Sequence, residues 1–182
     1  IIMKNVLVGD TVIDRESSIT FVDLGFESID KDGIHYADSH TPDWYPVGED
    51  NDEITRERND SIDGKKNVLG HTIFNATSGA QTTEVDPLKI RGNDKLSYLI
   101  YMINKYDLVG EKSKVTGMEV FYGDEQSSGN YGAWTEGAII EAKSWGGNTE
   151  GTQSPVTIHW DGKKVHGTFE PKTKTFTATK VV

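Results

Sequence analysis

The stretch Val156-Thr-Ile-His-Trp-Asp161-Gly162-Lys-Lys-Val-His-Gly-Thr-Phe169 alternates apolar and polar residues on both sides of an Asp-Gly pair. Alternation puts every second side chain on one face of a strand, and Asp-Gly suits the positive-φ positions of a two-residue hairpin loop. The pattern predicts a hairpin in which Trp160 opposes Lys163, Ile158 opposes Val165 and Thr157 opposes His166. Ile158, Trp160, Val165 and Phe169 then line a core face, while His159 and His166 share the polar one. Glu170-Pro171-Lys172 supplies a second turn, after which Thr173–Thr179 returns as the third strand of a meander.

Upstream, Ile19–Phe26, Val68–Ala76, Lys114–Tyr122 and Ala133–Trp145 are rich in β-branched and aromatic residues and read as further strands or strand pairs. Tyr122–Tyr131 and Gly146–Ser154, dense in Gly, Ser and Asn, read as surface loops. One helix interrupts the pattern, from about 94 to 106. There Leu96, Leu99, Ile100 and Ile103 fall at i, i+3, i+4 and i+7, Asn93 or Asp94 stands ready to cap the first turn, and Pro87 and Gly92 bar an earlier start. The predicted fold is mainly β, a sandwich or barrel-like sheet flanked by one helix, in a single domain spanning 1–182.

A chain of 182 residues buries about 70% of its unfolded surface, so its core needs no covalent staple. It has none: with no cysteine, disulfides, thiol nucleophiles and thiolate metal sites are excluded. No run approaches the ~18 apolar residues of a membrane span, and Ile1–Asp10 lacks a basic flank and a cleavage site, so neither membrane insertion nor a targeting leader is expected.

The net charge of −10 is concentrated. Residues 27–63 hold three basic and twelve acidic side chains, whereas 64–182 hold fourteen and thirteen. Nucleic-acid binding needs clustered Lys and Arg to displace counterions, and no such patch occurs. A surface that lies beside DNA without adhering to it remains compatible. The acidic segment also contains Pro42, Pro46 and only scattered apolar residues, so it reads as a long loop outside the core. Within it, Thr41-Pro-Asp-Trp-Tyr-Pro-Val47 is an apolar island suited to packing on a neighbour. The expected contact arm is therefore 27–63, with Trp44, Tyr45, Asp50, Asp52, Glu53, Arg56 and Arg58 as its candidate contacts.

Chemical motifs are sparse. Asp30-Lys31-Asp32-Gly33 and Asp50-Asn51-Asp52-Glu53 lack the full spacing of a calcium loop and read as solvated turns. His159 and His166 have no carboxylate built into their predicted face and read as surface residues rather than metal ligands. No nucleophile elbow, zinc-protease helix, phosphate-cradling loop or dinucleotide fingerprint occurs, and no spacing singles out a catalytic carboxylate pair. Neither catalysis nor a metal or other cofactor is expected.

Three further blocks carry a resemblance. They are Arg56-Glu-Arg-Asn-Asp-Ser-Ile-Asp-Gly-Lys-Lys-Asn-Val-Leu-Gly70, Glu84-Val-Asp-Pro87 leading to Arg91-Gly-Asn-Asp-Lys-Leu96, and Ala138-Ile-Ile-Glu-Ala-Lys-Ser-Trp-Gly-Gly-Asn-Thr-Glu-Gly151. The last runs into Ser154-Pro-Val-Thr-Ile-His159 and Gly167-Thr-Phe-Glu-Pro-Lys-Thr-Lys-Thr-Phe176. In this order and spacing, from about Arg56 to Phe176, the chain resembles the major tail tube proteins of long-tailed bacteriophages that infect Gram-positive bacteria. The resemblance implies homohexameric rings stacked into a tube, made in the host cytoplasm and incorporated in the virion. Such a tube encloses the tape-measure protein, meets terminator and distal tail proteins at its ends, and conducts DNA during ejection. It also implies a loop between early strands that reaches the neighbouring ring, which by position and polarity is 27–63 here.

Lumen-facing candidates are Glu141 and Lys143, which point the same way from the Ile139–Trp145 strand, with Glu136 joining them if that strand is regular through Gly137. Two other readings stay open at this point. One is a different tail ring component, a terminator or distal tail protein. The other is a carbohydrate-binding or adhesin sandwich using Trp44 or Trp134 against a sugar ring.

Overall fold

Two long strands, β9 (Lys114–Ser127) and β10 (Asn130–Ala142), organise the domain in the computed structural model, which describes residues 12–179. Before them come β1 (Ser18–Asp23), β2 (Ser28–Asp30), β3 (Gly33–His35), β4 (Trp44–Pro46), β5 (Arg56–Glu57), β6 (Ser61–Lys66), β7 (Thr72–Thr77) and β8 (Thr82–Val85), then the helix α1 (Lys95–Tyr106). After them come β11 (Gly146–Asn148), β12 (Gly151–Gln153), β13 (Val156–Trp160), β14 (Val165–Glu170) and β15 (Thr175–Ala178). The main sheet runs β4-β1-β9-β10-β13-β8-β5, with β14 and β15 as a branch from β10, and curls into a half-barrel. The fold is mainly β with one helix.

β9 and β10 stay paired from Lys114↔Ile139 to Ser127↔Asn130, turning at Ser128-Gly129, where Gly129 has φ +77°. The segment 122–131 is therefore a two-stranded ribbon and not the loop that its composition implies. Its polar residues Glu125–Ser128 are exposed, and backbone pairing alone maintains the strand where no core selects for alternation. Gly146–Ser154 likewise holds the small β11–β12 hairpin.

The predicted Asp161-Gly162 hairpin is not formed. β13 and β14 lie end to end along the same edge of β10: Trp160 opposes Ala138, and Val165 opposes Thr135. The four residues 161–164 bulge out where β10 supplies only Glu136 and Gly137. Asp161 N donates to Gly137 O, and Gly162 N donates to a Glu136 carboxylate oxygen, so β10 itself closes the bulge. A tight hairpin would leave half of this long edge unpaired, whereas the bulge lets one segment cover all of it. The sheet then forks, β8 pairing with β13 and β15 with β14, so the expected meander is reduced to its second half.

The bulge also splits the predicted core face. Ile158 and Trp160 pack with α1 on one face of the sheet, Phe169 is buried on the other, and Val165 is 49% exposed. His159 and His166 end up on separate ladders rather than diagonal to one another.

Two apolar cores result. The larger joins Leu99, Ile100, Met102 and Ile103 of α1 to Val22, Val115, Ala138, Ile140, Val156, Ile158 and Trp160, with Leu96 half-buried at its edge. Gly117 sits directly beneath the Trp160 ring, where a Cβ would overlap the indole. The smaller core holds Phe21, Trp44, Met118, Val120, Ala133 and Phe169 on the opposite face.

α1 begins where the spacing predicts, with Asp94 accepting from Ser97 N at 2.9 Å and Asp107 ending it in the left-handed region. Asp94→Ala removes this cap and is expected to cost about 1 kcal/mol of unfolding free energy, measured by urea denaturation.

Candidate assembly surface

β6 and β7 form an antiparallel hairpin, Ser61↔Thr77 to Lys66↔Thr72, that pairs with no other strand among the described residues. Every residue of both strands is exposed. Ile62 and Phe74 lie on one face and Ile73 on the other, 68%, 70% and 52% exposed. At the tip Val68 and Leu69 are more exposed still. An isolated two-stranded hairpin is marginally stable in water, and this one leaves five large apolar side chains exposed among the described residues. It is an arm.

Polar contacts fix the arm at its base. Asn59 Nδ2 donates to Ala80 O at 2.7 Å, Gly79 N donates to Asp60 Oδ1 at 3.0 Å, and Arg58 pairs with Asp60 at 2.6 Å. The Gly79 amide and the Arg58 guanidinium hold the Asp60 carboxyl below the usual range. Gly79 lies so close to the Asn59 backbone that no side chain fits there.

The arm thus starts close to where the expected one ends. Most of 27–63 is laid against the body because its acids find partners. Asp23 of β1 bridges to His40 Nε2 at 2.8 Å and accepts from Asp43 N, while Asp43 pairs with Lys95. Asp50 takes Arg91 Nη1 and Lys89 N at 3.0 Å each, and the Arg91 bond, with the Lys89 amide, holds its carboxyl low against partial burial. Tyr45 donates to Asp94, which pushes its phenol up to about 12. Asp52 and Glu53 remain exposed, and Arg58 serves the arm's root.

Trp44 is 3% exposed in the smaller core, so it is neither an arm contact nor open to a sugar. Trp44→Ala is expected to cost about 3–5 kcal/mol, measured as a lowered urea midpoint with unchanged slope. Trp134 is half-buried with Lys164 Nζ 4.6 Å from its ring centre.

Arg56 is displaced furthest from its expected role. From β5 it reaches under the sheet, where its guanidinium lies 4.4 Å from the Trp160 ring centre and Nη2 lies 2.7 Å from Glu136 Oε1. The two side chains are 15% and 1% exposed. Glu136 also accepts from Trp134 Nε1 and Gly162 N, and Arg56 Nε donates to Gln81. Glu136 is therefore a buried structural anion and not a lumen residue. Strand parity explains the error: an uninterrupted strand through Gly137 puts 136 with Ala138 and Ile140, opposite Ile139 and Glu141. Glu141 is exposed, as expected, and pairs with His159 at 2.6 Å and Lys143 at 3.1 Å, both of which keep its carboxyl low.

Among the described residues, no group of three or more His, Asp or Glu side chains could hold a metal ion. No helix there is long and apolar enough to cross a membrane. Compared with known proteins, the sequence matches no family model and no curated protein.

Proposed function

We propose that this chain is a structural subunit that assembles with copies of itself, as a tail tube protein does. The observation that carries the reading is the β6–β7 arm, whose exposed apolar side chains have no partner within the described residues. A patch of this kind on one part of a molecule, complementary to a surface elsewhere on the next copy, makes a head-to-tail contact that propagates into rings or filaments. The sheet adds a second feature of the same sort: among the described residues β15 pairs only with β14, which leaves its outer edge open there to another strand. In this reading the sheets of neighbouring subunits join within a ring, and the arm reaches the adjacent ring. The tube then encloses a tape-measure protein, joins terminator and distal tail proteins, and passes DNA along an acidic wall that does not retain phosphates.

Negative-stain electron microscopy across a concentration series, with sedimentation velocity on the same samples, tests this. Hollow tubes or six-fold rings are expected. A monomer at every concentration, with glycan retention on an array, would replace the reading by the carbohydrate-binding one.

A further inference from the structure

The arm ends in an ordered knob. The Asn67 side-chain oxygen accepts from Leu69 N at 2.9 Å and from His71 N at 3.0 Å, and the Asn67 carbonyl accepts from Gly70 N. These bonds fix the turn that carries Val68 and Leu69, both exposed. Lys65 and Lys66 stand exposed directly behind it. The tip is therefore an apolar knob with a basic collar, set in shape before it meets a partner. Strands of six residues hold it about 20 Å from the root of the arm, and the exposure of both side chains shows that it sits in no cleft of its own chain among the described residues.

On the body, a cleft of about 560 Å³ opens between the start of β1 and the loop that follows β4. Its apolar side chains include Ile19, Val47 and Ile54, all half-buried. Ile54 packs so closely on Gly48 that a Cβ there would overlap it, and the Asp50–Arg91 pair ties the same loop to the body, so this wall is fixed. The rim is acidic, with Glu16, Glu49 and Asp52 exposed. Among the described residues Glu16 and Asp52 have no ion pair, and Glu49 has only Arg91 at 3.7 Å. Arg15, the one base in the lining, donates to the Ser18 and Ile54 carbonyls. Three other grooves match the tip less well. The one beside Leu24, Phe26 and Tyr98 is apolar, but Arg91 and Lys95 outnumber Asp94 in its lining and oppose Lys65 and Lys66. The one formed by Glu53, Glu57, Glu84 and Asp86 is acidic but holds no large apolar side chain. In the one between the end of α1 and β10, Glu141 is already paired with Lys143 and His159.

We infer that the β1–β4 cleft receives the arm tip of a second copy of this chain. Val68 and Leu69 enter over Ile19, Val47 and Ile54, while Lys65 and Lys66 meet Glu16, Glu49 and Asp52. The apolar contact supplies affinity, and the charges set orientation and exclude the basic groove. Knob and cleft are different surfaces, so each subunit offers one tip and accepts one, and the contact repeats from copy to copy. The inference deepens the assembly reading above and rests on it for the presence of the second copy.

The test joins charge exchange to zero-length cross-linking, both on the full chain. Lys65→Glu with Lys66→Glu, and separately Glu49→Lys with Asp52→Lys, are each expected to weaken self-association at least about tenfold by sedimentation velocity. All four substitutions together restore it to within about threefold, because the opposed charges are exchanged and not lost. The four positions are exposed, so the urea midpoint stays put in every variant. Carbodiimide coupling of a mixture of isotopically light and heavy wild-type chains is expected to join Lys65 or Lys66 of one copy to Glu16, Glu49 or Asp52 of another. Exchanges that leave association unchanged, or that weaken it singly without restoring it together, would overturn the docking site. So would coupling of these lysines within one chain or to Glu53, Glu57, Glu84 or Asp86, and in each of these cases rings or tubes would leave the assembly reading intact. A chain that stays monomeric and uncoupled at every concentration would overturn both. Restored pairing in a complex that never grows into rings or tubes would support the docking site and remove the tube reading alone.

Discussion

Arg56→Ala is expected to lower the unfolding free energy by about 3–5 kcal/mol, because it strands Glu136 as a buried anion without its counter-ion. At this chain length such a loss corresponds to a fall of roughly 10 °C in midpoint temperature. The change also removes the guanidinium stacked on Trp160 and the bond to Gln81, so the loss falls at the top of the range. The double variant Arg56→Met with Glu136→Gln separates these contributions. With both charges gone and the volume largely kept, most of the stability should return, since a buried ion pair is worth little against well-packed neutral groups of similar size. Urea denaturation of the two single variants and the double variant gives the coupling directly. Single variants within 1 kcal/mol of the wild type would mean that the pair is hydrated and that β5 is not anchored through it.

The second large effect belongs to the arm. Replacing residues 62–76 by a short Gly-Ser turn, or introducing Phe74→Asp with Leu69→Asp, is expected to abolish self-assembly at concentrations where the wild type forms rings or tubes. Neither change touches either core, so the unfolding free energy of the monomer should stay within about 0.5 kcal/mol. Loss of assembly with an unchanged denaturation curve is the signature of a contact surface. Loss of both would show that the hairpin supports the fold.

What the sequence reveals and what it conceals follow from the range of the interactions involved. α1 is legible to within a residue because capping and the 3.6-residue period are local: Asp94 bonds Ser97, three positions on. Leu99, Ile100 and Ile103 are buried as the periodicity requires, and Ile158, Trp160 and Phe169 are core residues as the alternation requires. Their partners are another matter. The Asp161-Gly162 pair carries a strong hairpin signal, yet the outcome is decided by β10, which offers one continuous edge to the residues on both sides of it. Nothing local distinguishes a hairpin from a bulge when the deciding strand lies some twenty residues away.

The packing of 27–63 against the domain is hidden from the sequence for a related reason. Twelve acids in 27–63 indicate a solvated loop only if they stay unpaired, and partners such as Arg91 for Asp50 and Lys95 for Asp43 come to them through the fold. Conversely, Val68–Ala76 reads as a strand because it is rich in β-branched and aromatic residues, and local pattern cannot report that no second layer among the described residues covers it. Gly70 at φ +81° completes the tip that joins the two strands of the hairpin.

The account stands on the arm making the contact between subunits, and hydrogen exchange of assembled against monomeric protein tests that most directly. On assembly, amides in Ser61–Lys66 and Thr72–Thr77, half of whose backbone groups face solvent in the free hairpin, should become protected by at least tenfold, together with the outer edge of β15. Assemblies in which the arm exchanges as fast as in the monomer would contradict the account, however regular the tubes.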